Sequence, residues 1–548
     1  MSTASKPMYE WNILPWKRFH RDVSKLQTRI YRASQRGDVR AVHRLQRLLV
    51  KSWSFKCLAV RQVAQVNRGK RTAGVDGVKN LTEPQRLRMS QSLSLQSPTV
   101  TPVRRVWIPK PGKPEKRPLG IPVMQTRSEQ TLARYALEPE WEARFEPNSY
   151  GFRLCRSCHD AIEAVFLAIR FKPKFALDAD IRGCFDNILA EALLDKLQTF
   201  PSLRSVIKRW LTAGIMEEGR FIPTNKGTPQ GGSISPLLAN IALHGLENHL
   251  RASFPNRSSK PSVVVYADDF VVIHDDLAVI EECQRLASQW LVGMGLELKP
   301  SKTRITHTLH EYHGNVGFDF LGFTVRQFPV GKYRSGRNTH GQPLGFKTII
   351  RPSKAAQKRH VGDLASVIRR HRATRQDELI RILNPKIRGW AHFYATVVSK
   401  QVFNKMDSVV YQQLRRWARR RHPKKNATWV AHRYWHTRQN RHWSFEDGEA
   451  VLAKHADTPI RRHVKVQGVR SPYDGDLAYW GSRVSRHPEL SRMQLRLLRD
   501  QHGSCATCGR YFTDANEIVV HDLVGSVWPQ SRAGRRQMRR LVHGHCRT

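Results

Sequence analysis

Val263-Val264-Val265-Tyr266-Ala267-Asp268-Asp269-Phe270-Val271-Val272-Ile273 is the stretch on which the reading of this chain turns. Two β-branched runs with a short interruption predict a buried strand hairpin. Its turn carries two adjacent carboxylates. Side-by-side negative charges repel and lose hydration in a core, so a hairpin gains nothing from them unless a cation sits nearby. Mg²⁺ prefers carboxylate oxygens completed by water and substrate phosphates. The stretch therefore points to a metal site that handles phosphate; a solvated Asp-Asp turn is the plainer alternative.

Composition agrees with a phosphate-rich partner. The chain has 548 residues, with 93 Lys+Arg against 45 Asp+Glu, a formal net charge of +48. That excess is spread along the whole length, and such self-repulsion makes sense against a polyanion. The length predicts several domains. No apolar run approaches the ~18 residues of a membrane span. Met1 to Lys6 is not followed by the apolar core of a signal peptide. Eight cysteines in so long a chain do not suggest a disulfide scaffold. The expectation is a cytoplasmic protein, nucleoid-associated when engaged with DNA.

Around the hairpin, other stretches carry compatible chemistry. Residues 16–66 show helical spacing (Phe19, Val23, Leu26, Ile30; then, after Gly37-Asp38, Val39, Val42, Leu45, Leu48, Leu49) with Arg and Lys opposite. Val103 to Pro122 reads as a strand pair whose prolines suggest an edge or a projecting ribbon, with Lys110, Lys113, Lys116 and Arg117 at its tip. Such a tip beside a metal site could grip a triphosphate; an exposed polar turn is the plainer reading. Phe175 to Asp180 reads as a strand with Asp178 and Asp180 on one face. With Asp186, Asp268 and Asp269 these acids could supply a two-metal phosphoryl-transfer site. Lys226 to Pro236 is a glycine-rich loop in which Gln230 offers both donor and acceptor. Ser235-Pro236 then opens an apolar helix with Leu237, Leu238, Ile241, Leu243 and Leu246.

Asp180-Ile181-Arg182-Gly183-Cys184-Phe185-Asp186, Gly227-Thr228-Pro229-Gln230-Gly231-Gly232, Tyr266-Ala267-Asp268-Asp269, Lys302-Thr303 and Phe320-Leu321-Gly322-Phe323 occur in that order. Together they resemble the palm blocks of reverse transcriptases, specifically those of group II intron-encoded proteins. Ile108-Pro109-Lys110, Arg117 to Pro122 and Ser149-Tyr150-Gly151-Phe152-Arg153 are similar to that family's finger blocks. The resemblance implies a multidomain α+β protein: a right-hand polymerase of fingers and palm with a helical thumb, a small DNA-binding domain and a zinc-type HNH-like remnant. It implies an RNA-directed DNA polymerase and maturase that binds intron RNA, assists splicing and copies that RNA during retrohoming, with target DNA and dNTPs as further partners. Asp180, Asp268 and Asp269 would be catalytic and, with the Ile181 backbone, would hold two Mg²⁺ ions. Asp178 would be a neighbour and not a ligand. Lys110, Arg117, Phe185 and Gln230 would receive the incoming dNTP, and Phe320 to Phe323 would position the primer end. The implied domains are a helical extension (1–100), fingers and palm (101–328), domain X or thumb (345–422), a DNA-binding region (423–495) and the HNH-like remnant (496–548).

Downstream, Asn384-Pro385 to Gly389-Trp390 is similar to the family's domain X signature. Arg388, Arg415, Arg416, Arg419 and Arg420 are candidate RNA contacts. Trp429, Arg433, Tyr434, Trp435 and Trp443 interleave aromatic and basic residues, which suits phosphate contact plus stacking; a packed core is the plainer reading for the tryptophans. Cys505, Cys508, His543 and Cys546 form a credible structural Zn²⁺ set. The segment resembles an HNH endonuclease whose pattern is damaged. Val520-His521-Asp522 stands where the family usually shows His-His or Asp-His, Met538 or Arg539 falls where Asn belongs, and Arg547 stands in place of the last His. An inactive or weak nuclease is expected. Cys155 and Cys158 read as incidental thiols. The competing readings are a splicing cofactor with an idle polymerase, a polymerase serving a host task, and an active homing endonuclease.

Overall fold

Apolar residues at helical spacing make the N-terminal segment a helical hairpin, α1 (Trp16–Gln35) and α2 (Val39–Lys51), continued by α3 (Trp53–Arg61) and, after a turn, α4 (Glu83–Ser92). This computed structural model describes residues 10–96, 100–109, 115–224, 226–228, 230–438, 441–476, 479–480, 483, 490–509, 512, 518–522 and 539–546. Asp38 caps α2 by accepting from the Ala41 N–H at 2.9 Å. Val42, Leu45 and Leu49 are buried as expected, but Val39 and Leu48 are exposed. The buried stripe of α2 runs instead through Gln46, whose amide donates to the Glu140 carboxylate at 2.7 Å and to the Ala136 carbonyl at 3.2 Å. A satisfied amide thus occupies a position that periodicity alone reserves for a hydrocarbon.

β1 (Val103–Pro109) and β2 (Lys116–Ile121) lead into α5 (Met124–Glu142), a helix buried on nearly every side. Then follow α6 (Cys158–Ile169), β3 (Phe175–Asp180), α7 (Cys184–Asn187), α8 (Ala190–Leu197), α9 (Pro201–Leu211), β4 (Ile215–Glu217) and β5 (Arg220–Ile222). α10 (Ser235–Leu243), α11 (Leu246–Ala252), β6 (Ser262–Tyr266), β7 (Asp269–His274), α12 (Leu277–Val292) and β8 (Arg304–His307) complete the region. The apolar helix begun at Ser235 is interrupted before Leu246 by Gly245, at a φ of 100°. Two four-stranded sheets result, ordered β2-β1-β4-β5 and β6-β7-β3-β8. Pro118 lies in the edge strand β2, and Pro109 ends β1 beyond its pairing with β4, so neither breaks a ladder.

β9 (Phe318–Phe320), β10 (Phe323–Pro329) and β11 (Phe346–Pro352) form a third sheet, followed by α13 (Lys354–Arg370), α14 (Gln376–Tyr394) and α15 (Lys400–Arg421). α16 (Ala427–Tyr434), β12 (Trp435–Arg438), β13 (Arg441–Asp447) and β14 (Ala450–Val451) come next. The boundary expected between 422 and 423 runs through one core. Val430, Tyr434, Trp435 and Phe445 pack with Leu379, Leu383, Leu414 and Trp417. The signature Asn384 explains part of this: its amide donates to the Val451 carbonyl at 2.9 Å, and its oxygen accepts from the Ala453 N–H at 2.7 Å. Trp390 stacks on His360 with centroids 4.5 Å apart.

Residues 453–476, which fall inside the expected DNA-binding region, strap α15 to the region of α5 and α6. Asp407 accepts from the His455 N–H, the His455 ring and the Ala456 N–H at 2.6–2.9 Å. Further on, Asp160 accepts from the Val466 N–H at 2.8 Å and from His463 at 3.0 Å, Arg156 donates to the Gly468 and Arg470 carbonyls, and Tyr473 donates to Glu138 at 3.2 Å. Burial alone would raise the Asp160 carboxyl, but His463, the Val466 N–H and Ser157 outweigh it and hold the group at about 2. That lies below the ordinary carboxylate value, so Asp160 adds stability above about pH 4 and loses it as pH falls toward 2. The shift corresponds to about 2 kcal/mol. Denaturant midpoints of the full chain should therefore fall more steeply below pH 4 for the wild type than for Asp160→Asn, which should be weaker at neutral pH by about that amount.

Candidate active site

β3 is a central strand, and its register sets Asp180 opposite Asp269 on β7. Cross-strand neighbours of this kind lie ~5 Å apart at Cβ. Tyr266 pairs with Asp269 across a two-residue turn of Ala267 and Asp268. Ala267 takes a φ of 56°, which primed two-residue turns require of their first residue. The Ile181 N–H donates to the Asp268 carbonyl at 3.2 Å and the Lys299 N–H to the Asp180 carbonyl at 2.8 Å. The predicted hairpin is thus present, and the backbone brings Asp180, Asp268 and Asp269 to one end of one sheet.

Asp178 shares the face of Asp180, as alternation requires. Burial pushes its carboxyl up to about 6 even though Arg304, at 3.4 Å on β8, opposes the shift. Burial, then Asp268, then Asp178 push Asp269 up to about 6. Asp180 is 8% exposed and ion-pairs with the Lys302 ammonium. In the sequence, only the position of Lys302 in the ordered set of blocks points to this role.

The Ser149 to Arg153 segment braces this turn. Ser149 bridges Val265 in parallel, and the Tyr150 N–H donates to the Val265 carbonyl at 2.9 Å. A Cβ on Gly151 would lie 2.4 Å from the Ala267 nitrogen, so only glycine fits there. Asn240 donates to the Gly151 carbonyl at 2.7 Å. Arg153 is buried and grips Glu142 through two bonds of 3.0 and 2.8 Å, with the Glu146 and Ser149 carbonyls at 2.8 Å each. Planar bidentate pairing of this kind is what a guanidinium does and an ammonium cannot.

A cleft of about 510 Å³ opens between Pro118 and Gly120 of β2, Phe185, Asp186, Gly227 and Gln230. Gln230 donates to Asp186 at 3.0 Å, and its carbonyl accepts from the Gly120 N–H at 2.6 Å. Arg117 is exposed on β2 and does not line the cleft. Lys110 and Lys113 lie outside the described residues. Phe320 and Phe323, expected near a primer end, are 3% and 0% exposed and belong to the core; only the Leu321-Gly322 turn between them reaches the surface. Strand alternation around a two-residue turn aims both rings inward.

Arg388 is exposed on α14, and Arg415, Arg416, Arg419 and Arg420 are exposed along the end of α15. Arg421 instead donates to the Arg372 and Thr374 carbonyls and covers Trp417, a structural role. The aromatics divide: Tyr434 and Trp435 are core, while Trp429 and Trp443 are 39% and 57% exposed; Arg433 is also exposed. Cys505, Cys508, His543 and Cys546 bring their ligand atoms within 4.8 Å of one another. His521 and Asp522 lie on β15 (Ile518–Asp522), paired with β16 (Arg539–His543), and Asp522 ion-pairs with Arg539 at 2.7 Å. Met538 and Arg547 lie outside the described residues. Cys155 and Cys158 are unpaired thiols. No helix among the described residues is long and apolar enough to cross a membrane.

Residues 108–325 match the family model described as reverse transcriptase (RNA-dependent DNA polymerase), and residues 11–93 match the N-terminal domain of reverse transcriptase. Residues 357–435 match the group II intron, maturase-specific domain, which crosses the boundary expected at 422. Protein YkfC of Escherichia coli (strain K12) is 31% identical over 51% of this chain and 82% of its own length. Group II intron-encoded protein LtrA of Lactococcus lactis subsp. cremoris is 28% identical over 63% of this chain and 69% of its own. An apo telomerase structure from Candida tropicalis aligns with 42% of this chain and 54% of its own at 14% identity and a TM-score of 0.33, too slight a likeness to argue from.

Fold, site and family models together define a reverse transcriptase, an RNA-directed DNA polymerase that uses a divalent metal. With its maturase domain, the chain belongs to the group II intron-encoded reverse transcriptase/maturase family, whose maturase domain implies binding of intron RNA.

Gly151→Ala should displace the Ala267-Asp268 turn. Primer extension should fall on the order of 100-fold, since misplacement by about 1 Å costs that much, while circular dichroism shows the helical domain intact.

Proposed function

We propose that this reverse transcriptase copies the RNA of its own intron into DNA by two-metal nucleotidyl transfer during retrohoming, and that its maturase domain assists splicing of the same RNA. The observation that carries the reading is the convergence of Asp180, Asp268 and Asp269 at the end of one sheet. Their crowding fits Mg²⁺: burial and like charge already push Asp269 up to about 6, a penalty that a divalent cation relieves. Held by the three aspartates and the Ile181 carbonyl, two ions would neutralise charge on the attacking and leaving oxygens. The chain's own groups do the positioning. Phe185 lies under the sugar and excludes a 2′-hydroxyl. Gln230 touches the nucleotide after giving up Asp186. Arg117, with Lys110, grips the triphosphate. Lys302 holds Asp180 in place.

Arg388, Arg415, Arg416, Arg419 and Arg420 face the intron RNA, and Trp429 with Arg433 contacts nucleic acid beside them; target DNA is the second macromolecular partner. Cys505, Cys508, His543 and Cys546 hold a structural Zn²⁺, since four thiol and imidazole donors at this spacing suit tetrahedral zinc. The surrounding module is a nuclease remnant. Asp522 is engaged by Arg539, and a ββα-metal nuclease needs its base and metal ligands together.

Primer extension on an RNA template with Mg²⁺ and dNTPs should proceed with wild type and fall at least 1,000-fold with Asp268→Ala. Equal extension by both would overturn the site assignment. Extension by neither, with intron RNA present, would favour a splicing cofactor with an idle polymerase. Cys505→Ser should release zinc, measured by metal analysis, and unfold the C-terminal module alone. Ribonucleoprotein particles carrying His521→Ala should process the second DNA strand no differently from wild type; a lost nick would restore the active-endonuclease reading.

A further inference from the structure

β10 and β11 form a hairpin arm whose tip, residues 330–345, holds no buried residue among those described. From Phe320 to Pro352 the sequence holds six Lys/Arg (Arg326, Lys332, Arg334, Arg337, Lys347 and Arg351) and no Asp or Glu. The tip is ordered by its own bonds. The Val330 N–H donates to the Gly345 carbonyl at 3.0 Å, the Leu344 N–H to Gly336 at 2.9 Å, and Asn338 Oδ1 accepts from the His340 and Gln342 N–H groups at 2.9 Å each. On this fixed tip Tyr333 is 97% exposed, the most exposed of the large hydrophobic side chains among the described residues. Arg334 is exposed beside it. Along the solvent face of the arm, Arg326 and Arg351 flank the Phe328 ring at 4.8 and 6.0 Å.

An ordered turn that holds an aromatic ring wholly in water gains nothing from it within the monomer. Charge alone would suit any phosphate backbone. The ring is more selective, because paired bases are stacked on one another and offer a free π-face only where a strand is unpaired. We propose that this arm docks an unpaired loop of the RNA bound by the protein, Tyr333 stacking on a base and Arg334 holding the adjacent phosphate. The proposal rests on the intron-RNA reading above and names the part of that RNA, and the part of the protein, that meet.

The test is equilibrium binding of the full chain to in vitro transcribed intron RNA and to a fully paired RNA duplex, across a salt series. Wild-type affinity for intron RNA no better than for the duplex would overturn the intron-RNA reading itself. If that preference holds, Tyr333→Ala should weaken intron-RNA binding about tenfold and leave duplex binding unchanged, while Tyr333→Trp restores it. Arg334→Gln should lower the salt slope by about 1. Thermal melting of each variant controls for folding. Intron-RNA affinity of Tyr333→Ala equal to wild type, or an equal loss on the duplex, would overturn the arm proposal and leave the wider reading standing.

Discussion

Carboxylates can be crowded at the end of a sheet only if the backbone carrying them does not yield. Asp180 and Asp269 are held in cross-strand register, Asp268 sits in the two-residue turn beside them, and Asp178 stands two residues away on the same face. Like charges in a dry place push apart and push their own proton affinity up. What resists is covalently simple and geometrically strict. The strands are paired on both sides of β3, and the turn is pressed by a segment that tolerates no side chain at Gly151. That segment is fixed in turn by the buried Arg153–Glu142 pair, which is strongly destabilising to break because either partner alone would be an uncompensated buried charge. The polymerase region is organised to keep this turn still.

Much of this was legible because it is local. A β-branched run, a two-residue acidic turn and strand alternation define the hairpin and the face of Asp178 and Asp180 without reference to anything distant. The glycine-rich loop and the strand pair with edge prolines were legible for the same reason. What could not be read depends on partners far along the chain. Gln46 passes for a surface residue until Glu140 is seen beside it. Phe320 and Phe323 are expected at a primer end from the family resemblance, and only the third sheet shows both rings in the core. Asn384 belongs to a recognisable signature, yet its work is to hold Val451 and Ala453.

The same limit explains the boundary after residue 422. Composition shifts there toward Arg, His and Trp, and composition reports solvent-facing chemistry better than it reports cores. Val430, Tyr434, Trp435 and Phe445 complete the apolar core of the helices before them, while Trp429 and Trp443 remain at the surface. Aromatic residues in one short stretch therefore divide between core and surface, a division set by which face of its helix or strand each occupies. The arginines divide likewise: Arg421 closes a helix end against its neighbour, and Arg415, Arg416, Arg419 and Arg420 are left to the solvent.

The strap also sets an order of events on the ribosome. Asp160 meets Val466 across 306 residues of sequence, Arg156 meets Gly468 across 312, and Glu138 meets Tyr473 across 335. At typical synthesis rates these polar groups wait roughly 15–60 s for their partners. During that interval the nascent chain holds a nearly finished polymerase region with an unclosed seam, while its basic surface is already displayed. An RNA made in the same compartment can reach that surface before the last contacts form, so assembly with the nucleic acid can precede completion of the fold.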